Sequence, residues 1–172
     1  EGDIYAGRIL AMETQSHRSY GAQTGQNSGF TSAANERLRI IGEIPLRKVT
    51  DAGQPVLDQN GDPDTSFLAR IPADTPFTFQ TPDRDGLVLN MSQTWHQLRP
   101  GEIRNDCGGC HAHSQLPTAF EKTAAARPDY RVPDLTRTTP LISRTALGPS
   151  VVERPYQPLD VEYYRDIKPI LQ

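Results

Sequence analysis

The sequence predicts a mainly β fold: a small antiparallel, sandwich-like domain with a Cys-x-x-Cys-His loop, one short helix and a long irregular C-terminal strap. Three observations lead there. Apolar residues recur in short β-branched or alternating runs and not at helical spacing. Turn formers separate those runs, with 13 glycines and 15 prolines among 172 residues. One segment alone, 118–126, has good helix composition, and Pro128 closes it. A chain of this length suffices for one ordinary core. Within it three stretches differ in character: 1–37, a strand and a polar loop; 38–127, the β domain with the cysteine motif; and 128–172, a proline-rich strap.

Taken in order, residues 4–12 read as a strand, with Ile4, Ile9, Leu10 and Met12 apolar. Residues 13–37 are polar and carry too little apolar surface for a core element, so they read as a long loop. Leu38-Arg-Ile-Ile-Gly-Glu-Ile-Pro-Leu46 is β-branched and is expected to be a strand, extended by 49–56. Asp58-Gln-Asn-Gly-Asp-Pro-Asp64 is dense in turn formers. A returning strand over 66–71 would place Phe67, Ala69 and Ile71 on one face. Phe77-Thr-Phe-Gln80 alternates strictly, and Asp83-Arg-Asp-Gly86 marks a hairpin before the apolar run Leu87-Val-Leu89. Arg99-Pro-Gly-Glu102 turns the chain toward the cysteines. Past 128, Pro133, Pro140, Pro149, Pro155 and Pro158 suggest extended chain, and 163–171 is a short amphipathic piece.

The formal charge is −3 with both signs interspersed, so no basic stripe is present to track a phosphate backbone, and nucleic acid is not an expected partner. No run of about 18 apolar residues occurs, so membrane insertion is not expected either. No charged start with an apolar h-region is visible.

The chemistry is concentrated in Cys107-Gly-Gly-Cys-His111. Two cysteines three apart with histidine next is the c-type haem attachment pattern. Two thioethers reach two vinyl groups of one porphyrin edge while the next side chain turns under the iron. Gly108 and Gly109 leave the backbone free to make that path. The pattern therefore implies one covalent haem c, with Cys107 and Cys110 as attachment residues and His111 as proximal iron ligand. A redox dithiol would want a βαβ context, which is missing here, and a structural zinc would want a second cysteine pair, also missing. Haem is attached on the far side of an energy-transducing membrane, so the expected location is periplasmic or extracytoplasmic, and the expected origin of the sequence is a cut piece of a longer precursor.

The sixth iron position separates electron transfer from substrate chemistry, because a second strong protein ligand closes the site. His96, at the end of the last strand of the middle region, ranks first as distal ligand, His17 second and Met91 third; Met12 and His113 are weaker, His113 lying too close to His111 to cross to the other haem face. Asp58, Asn60, Asp62 and Asp64 resemble part of a calcium loop, but without a distal Glu the hairpin turn is the better reading. Trp95, Phe77 and Phe79 suit either a macrocycle wall or a plain core.

These residues also carry a family likeness. Leu38-Arg-Ile-Ile-Gly-Glu-Ile-Pro, Ser66-Phe67, Ile71-Pro-Ala-Asp-Thr-Pro-Phe77 with Phe79-Gln80, Asp85-Gly86, Trp95 and Pro100-Gly-Glu-Ile-Arg104 ahead of the cysteine motif resemble the middle haem domain of the hydrazine synthase alpha subunit and its multihaem relatives. The resemblance implies a preceding β-propeller and a following cytochrome c domain, for which 161–172 looks like the lead-in. It also implies an unusual haem, since in hydrazine synthase a Tyr four residues past the motif His binds iron while that His binds zinc. Gln115 stands at that position here, which favours His111 on the iron; Tyr20, Tyr130 and Tyr156 are substitutes that spacing leaves open. The leading expectation is an electron-transfer cytochrome domain whose partners are redox proteins or neighbouring haem domains of one parent chain. The alternative is an open-site catalytic haem acting on a small nitrogen compound or peroxide.

Overall fold

A computed structural model describes residues 4–13, 37–105, 107, 118–146, 148–155, 164 and 167–171. The fold is mainly β and antiparallel, as the sequence predicts. Strands β1 (Ala6–Glu13), β2 (Arg37–Pro45), β3 (Phe77–Pro82) and β4 (Val88–Met91) form a four-stranded sheet in the order β2-β1-β3-β4. Strands β5 (Thr138–Thr145) and β6 (Gly148–Pro155) pair as a second, two-stranded sheet beside β2. Among the described residues no helix is long and apolar enough to cross a membrane.

Alternation decides which side of the four-stranded sheet is the core. Ile9 and Ala11 of β1 lie opposite Phe79 and Phe77 of β3, so one face collects aliphatic and aromatic side chains. Ile41, Ile44 and Leu135 complete the buried cluster, with Phe67, Ala69, Ile71, Phe79 and Leu98 packed on it. Burial of each such large side chain stabilises the fold by about 1.5–3 kcal/mol. The register of β1 against β2 slips between Ile9 and Leu10, a bulge that leaves Ile41 opposite no β1 residue. Ile41 is nonetheless 1% exposed, so the bulge re-aims an extra apolar side chain inward. Next to it, a side chain on Gly42 would begin 2.7 Å from a Leu135 methyl, which fixes a glycine there.

Several elements differ from expectation. Residues 49–56 do not extend β2; they turn back on themselves, with a single bridge between Val49 and Pro55. The 66–71 stretch is not a ladder strand, touching only Asp134 through a bridge at Arg70, although Phe67, Ala69 and Ile71 do share the core side. Its neighbours explain the difference: the Ser66 and Leu68 N–H groups bond to the Asp64 carboxylate and the Tyr130 phenol, so side chains replace a partner strand. The expected helix at 118–126 is two 3₁₀ turns, Phe120–Lys122 and Ala124–Ala126, separated by Thr123 in extended conformation. There the Ala124 and Ala125 N–H groups bond to Asp64 and to the Ser66 hydroxyl, which outcompetes the helical ladder. The expected strap is more regular than its prolines suggest, because 138–155 closes into the β5–β6 hairpin, with Pro140, Pro149 and Pro155 in register positions. Pro158 and the expected loop at 14–36 lie outside the described residues.

Candidate functional site

The segment 92–107 leads from the sheet to the cysteine motif, and a chain of backbone and side-chain bonds shapes it. Past β4 the strand stays alongside β3: Ser92 N–H donates to the Phe79 carbonyl at 2.9 Å. The buried Thr78 hydroxyl donates to the Ser92 and Thr94 carbonyls, at 3.1 and 3.0 Å, and so holds the irregular turn between them. His96 then pairs with Phe77 through both backbone groups, N–H to carbonyl at 2.8 and 2.9 Å. This pairing puts the His96 side chain on the aromatic face of the sheet.

The half-buried imidazole lies 5.7 Å from the Phe77 ring centre and 5.5 Å from that of Phe79. Those two phenyl rings meet edge to face at 5.6 Å, and Phe67 adds a third ring 6.2 Å from Phe79. Among the described residues neither His96 ring nitrogen makes a hydrogen bond. An imidazole held by its backbone and by ring contacts keeps its nitrogens available for a metal. The histidine and the two phenylalanines that the sequence singles out therefore form one cluster. Trp95 is half-buried beside them in the chain.

Met91 and Met12 stand elsewhere. Met91 pairs with Gln80, and Met12 follows Ala11 across from the Thr78 side, so both sit on the sheet face opposite Phe77 and Phe79. The Met91 sulfur accepts a hydrogen bond from the Gln80 amide at 3.7 Å. Tyr130 is half-buried, and its oxygen accepts the Leu68 N–H. Burial pushes its phenol above the ordinary tyrosine range, which disfavours the phenolate that iron would take.

Beyond His96 the chain reaches Leu98, whose carbonyl accepts the Asp74 N–H at 2.8 Å in a turn where Asp74 has φ 54°. Arg99 to Glu102 then forms the expected turn, with Glu102 N–H bonding the Arg99 carbonyl and Gly101 at φ 76°. Glu102 returns the bond: one carboxylate oxygen accepts the Arg99 N–H at 2.8 Å, and the other takes the Arg104 guanidinium at 2.7 Å. The backbone bond from Arg99 and the Arg104 cation together hold this carboxyl below its ordinary range. Gln97, Arg99, Glu102 and Arg104 line a groove of about 510 Å³ that opens to solvent. Three residues on, Cys107 is exposed. The sequence predicts a turn at Arg99-Pro-Gly-Glu102 and no groove; the trace of the groove in the sequence is the cation on either side of Glu102.

The calcium-like set does not converge. Asp58 accepts the Asn60 and Asp62 N–H groups and so closes its own turn, while Asp64 points inward to Ser66, Lys48 and Ala124. Cys110, His111, His113, Gln115, His17, Tyr20 and Tyr156, with Gly108 and Gly109, lie outside the described residues.

Comparison with curated proteins and with solved structures gives no match. A protein-family model does match: that of the hydrazine synthase alpha subunit middle domain, over residues 2–112. The matched region takes in the whole four-stranded sheet, the groove and the cysteine motif, and the chain belongs to that family.

Proposed function

We propose that the chain is a c-type cytochrome domain, with one haem joined covalently to Cys107 and Cys110, His111 as proximal ligand and His96 as distal ligand. It serves electron transfer within a larger, extracytoplasmic multihaem protein. The observation that carries this reading is the motif Cys107-Gly-Gly-Cys-His111, and its lying within the span of the family match supports reading it as part of the domain. A haem with two protein ligands supplies reversible one-electron transfer at iron.

The described side chains near the motif suit that group. Cys107, the first attachment residue, is exposed. The exposed Ile103 offers apolar surface just before the motif. The Phe77–Phe79 pair fixes the His96 ring without engaging its nitrogens. Two imidazoles on one iron lower the potential relative to an imidazole and a thioether. The same closure keeps small molecules off the metal.

Export of the chain in a host that matures c-type cytochromes tests the reading. Intact-mass measurement should show the polypeptide plus one haem, and Cys107→Ser with Cys110→Ser should abolish the addition. A wild-type mass without that addition overturns the proposal. The family description, which names a synthase subunit, favours a second reading in which the haem has an open site for a small nitrogen compound or peroxide. Carbon monoxide separates the two. A low-spin, inert spectrum supports electron transfer, and a high-spin spectrum that shifts with the gas supports catalysis.

A further inference from the structure

We propose that β4 is a strand-addition edge at which two copies of the chain join antiparallel across a two-fold axis, so that the four-stranded sheet of one continues into that of the other. The inference is independent of the haem reading. It rests on the backbone of Val88–Met91 and on the side chains that flank it.

The backbone decides what kind of partner fits. β4 ends the sheet order β2-β1-β3-β4, and among the described residues its ladder runs to β3 alone. Just past it the Ser92 N–H bonds the Phe79 carbonyl, so the alternation of an antiparallel ladder turns the N–H and C=O of Met91, one residue earlier, toward the open side. Among the described residues no backbone bond reaches them there. Another strand supplies donors and acceptors at the spacing such an edge presents, which makes a strand the natural occupant.

The side chains decide which strand. The other described edges are blunted: β2 carries Arg37, Arg39 and Glu43 and has β5 beside it, β5 carries Pro140 and Arg144, and β6 carries Pro149, Glu153, Arg154 and Pro155. Charge and proline on an edge oppose pairing. Leu87-Val-Leu-Asn-Met91 has neither, and Leu87, Val88, Leu89 and Met91 are all exposed. An edge of this kind offers a charged strand no ion pair, so an uncharged apolar strand suits it best. Among the described strands β4 is itself such a strand with an open side. Two-fold pairing of β4 with its copy sets Val88, Leu89 and Met91 of each chain against the same residues of the other, which covers apolar surface on both and brings no like charges together. A strand this short gives a weak dimer that forms with concentration and not a permanent one.

Sedimentation of the full chain over a concentration series, with amide hydrogen exchange followed at Met91, tests the pairing. The wild type should pass from monomer to dimer as concentration rises, and the Met91 N–H should gain protection in step. Leu89→Lys and Leu89→Glu should each weaken the dimer about tenfold or more, since two leucines are lost from the interface and like charges face each other across it. Leu89 is exposed, so both variants should keep the fold of the monomer, which an unchanged circular dichroism spectrum checks. The two variants mixed should associate more strongly than either alone. A wild type that stays monomeric through the millimolar range overturns the inference. A dimer that both variants leave intact, or whose Met91 amide gains no protection, lies on another surface and overturns it equally, and a mixture no stronger than its parts overturns the two-fold pairing.

Discussion

Glu43 on β2 accepts the backbone N–H of Ile142 on β5 at 2.8 Å, across 99 residues of chain. The same carboxylate takes the Arg8 guanidinium at 2.8 Å, with Arg144 3.6 Å away. One buried side chain thus joins the central strand, its neighbour and the second sheet. Burial pushes its carboxyl up, but the Ile142 N–H, the Arg8 bond and the two cations outweigh that and hold it below the ordinary range. Glu43→Ala leaves a buried N–H without an acceptor and two cations without their counter-charge, and is expected to cost about 3 kcal/mol. Glu43→Gln keeps an acceptor for Ile142 and should cost less, about 1–2 kcal/mol. Urea midpoints at constant m measure both, and a loss within about 0.5 kcal/mol for the alanine variant would exclude a structural part for this cluster.

Asp64 fastens the two 3₁₀ turns that follow the cysteine motif to the chain before it. Burial alone would raise its carboxyl, but the Ser66 hydroxyl, the Ala124 N–H, the Lys48 ammonium and the Ser66 N–H bring it down to about 2. Its unfolded value is 3.8, so the stabilisation is fully present above about pH 4 and disappears as pH falls through 2. The amount is roughly 2 kcal/mol. Acid titration of stability should show this loss in the wild type, and Asp64→Asn should be less stable at neutral pH with a flatter acid limb. Parallel acid limbs in the two proteins would contradict the assignment.

Gly42 sits at the β1–β2 bulge against Leu135, which is 1% exposed and has no room to withdraw. An added Cβ would lie 2.7 and 3.1 Å from the two Leu135 methyl carbons. Gly42→Ala is therefore expected to destabilise by about 1–3 kcal/mol through overpacking. Leu135→Val in the same chain should recover part of the loss, a non-additivity that a double-mutant cycle measures. Strict additivity would place the cost elsewhere than in this contact.

Local patterns found the strands wherever the ladder itself sets the local structure. The apolar run Ile9 to Met12, the β-branched stretch Leu38 to Pro45 and the alternation of Phe77 to Gln80 each mark a strand, and all three lie in the four-stranded sheet. The signal misled at 66–71, where alternation is real but Asp64 and Tyr130 supply the hydrogen bonds a strand partner would. It misled again at 118–126, whose alanine-rich composition favours a helix that Asp64 and Ser66, some 60 residues away, pull into 3₁₀ turns. Contacts at that separation leave no trace in a local window. In the site, His96, Phe77 and Phe79 were legible as residue types near the motif, but their meeting depends on Thr78 shaping the turn at 92–94. Of the groove only the charges are legible, Arg99 and Arg104 on either side of Glu102; its geometry comes from Glu102 bonding a backbone N–H, which no side-chain pattern announces.

The sheet separates the distal-ligand candidates by face, and that separation yields a spectroscopic expectation. His96 stands with Phe77 and Phe79, whereas Met91 and Met12 stand on the Thr78 and Gln80 side, so an iron served by His96 is out of reach of either thioether. Under the proposed ligation, His96→Ala should convert the matured protein from low spin to high spin and open it to carbon monoxide. Met91→Leu should leave the spectrum unchanged. Added imidazole should restore the low-spin form of the alanine variant, because the truncated side chain leaves room for an imidazole where the ring stood, beside Phe79. A low-spin spectrum retained by His96→Ala would remove His96 from the iron and pass the position to His17, whose own alanine variant should then carry the conversion.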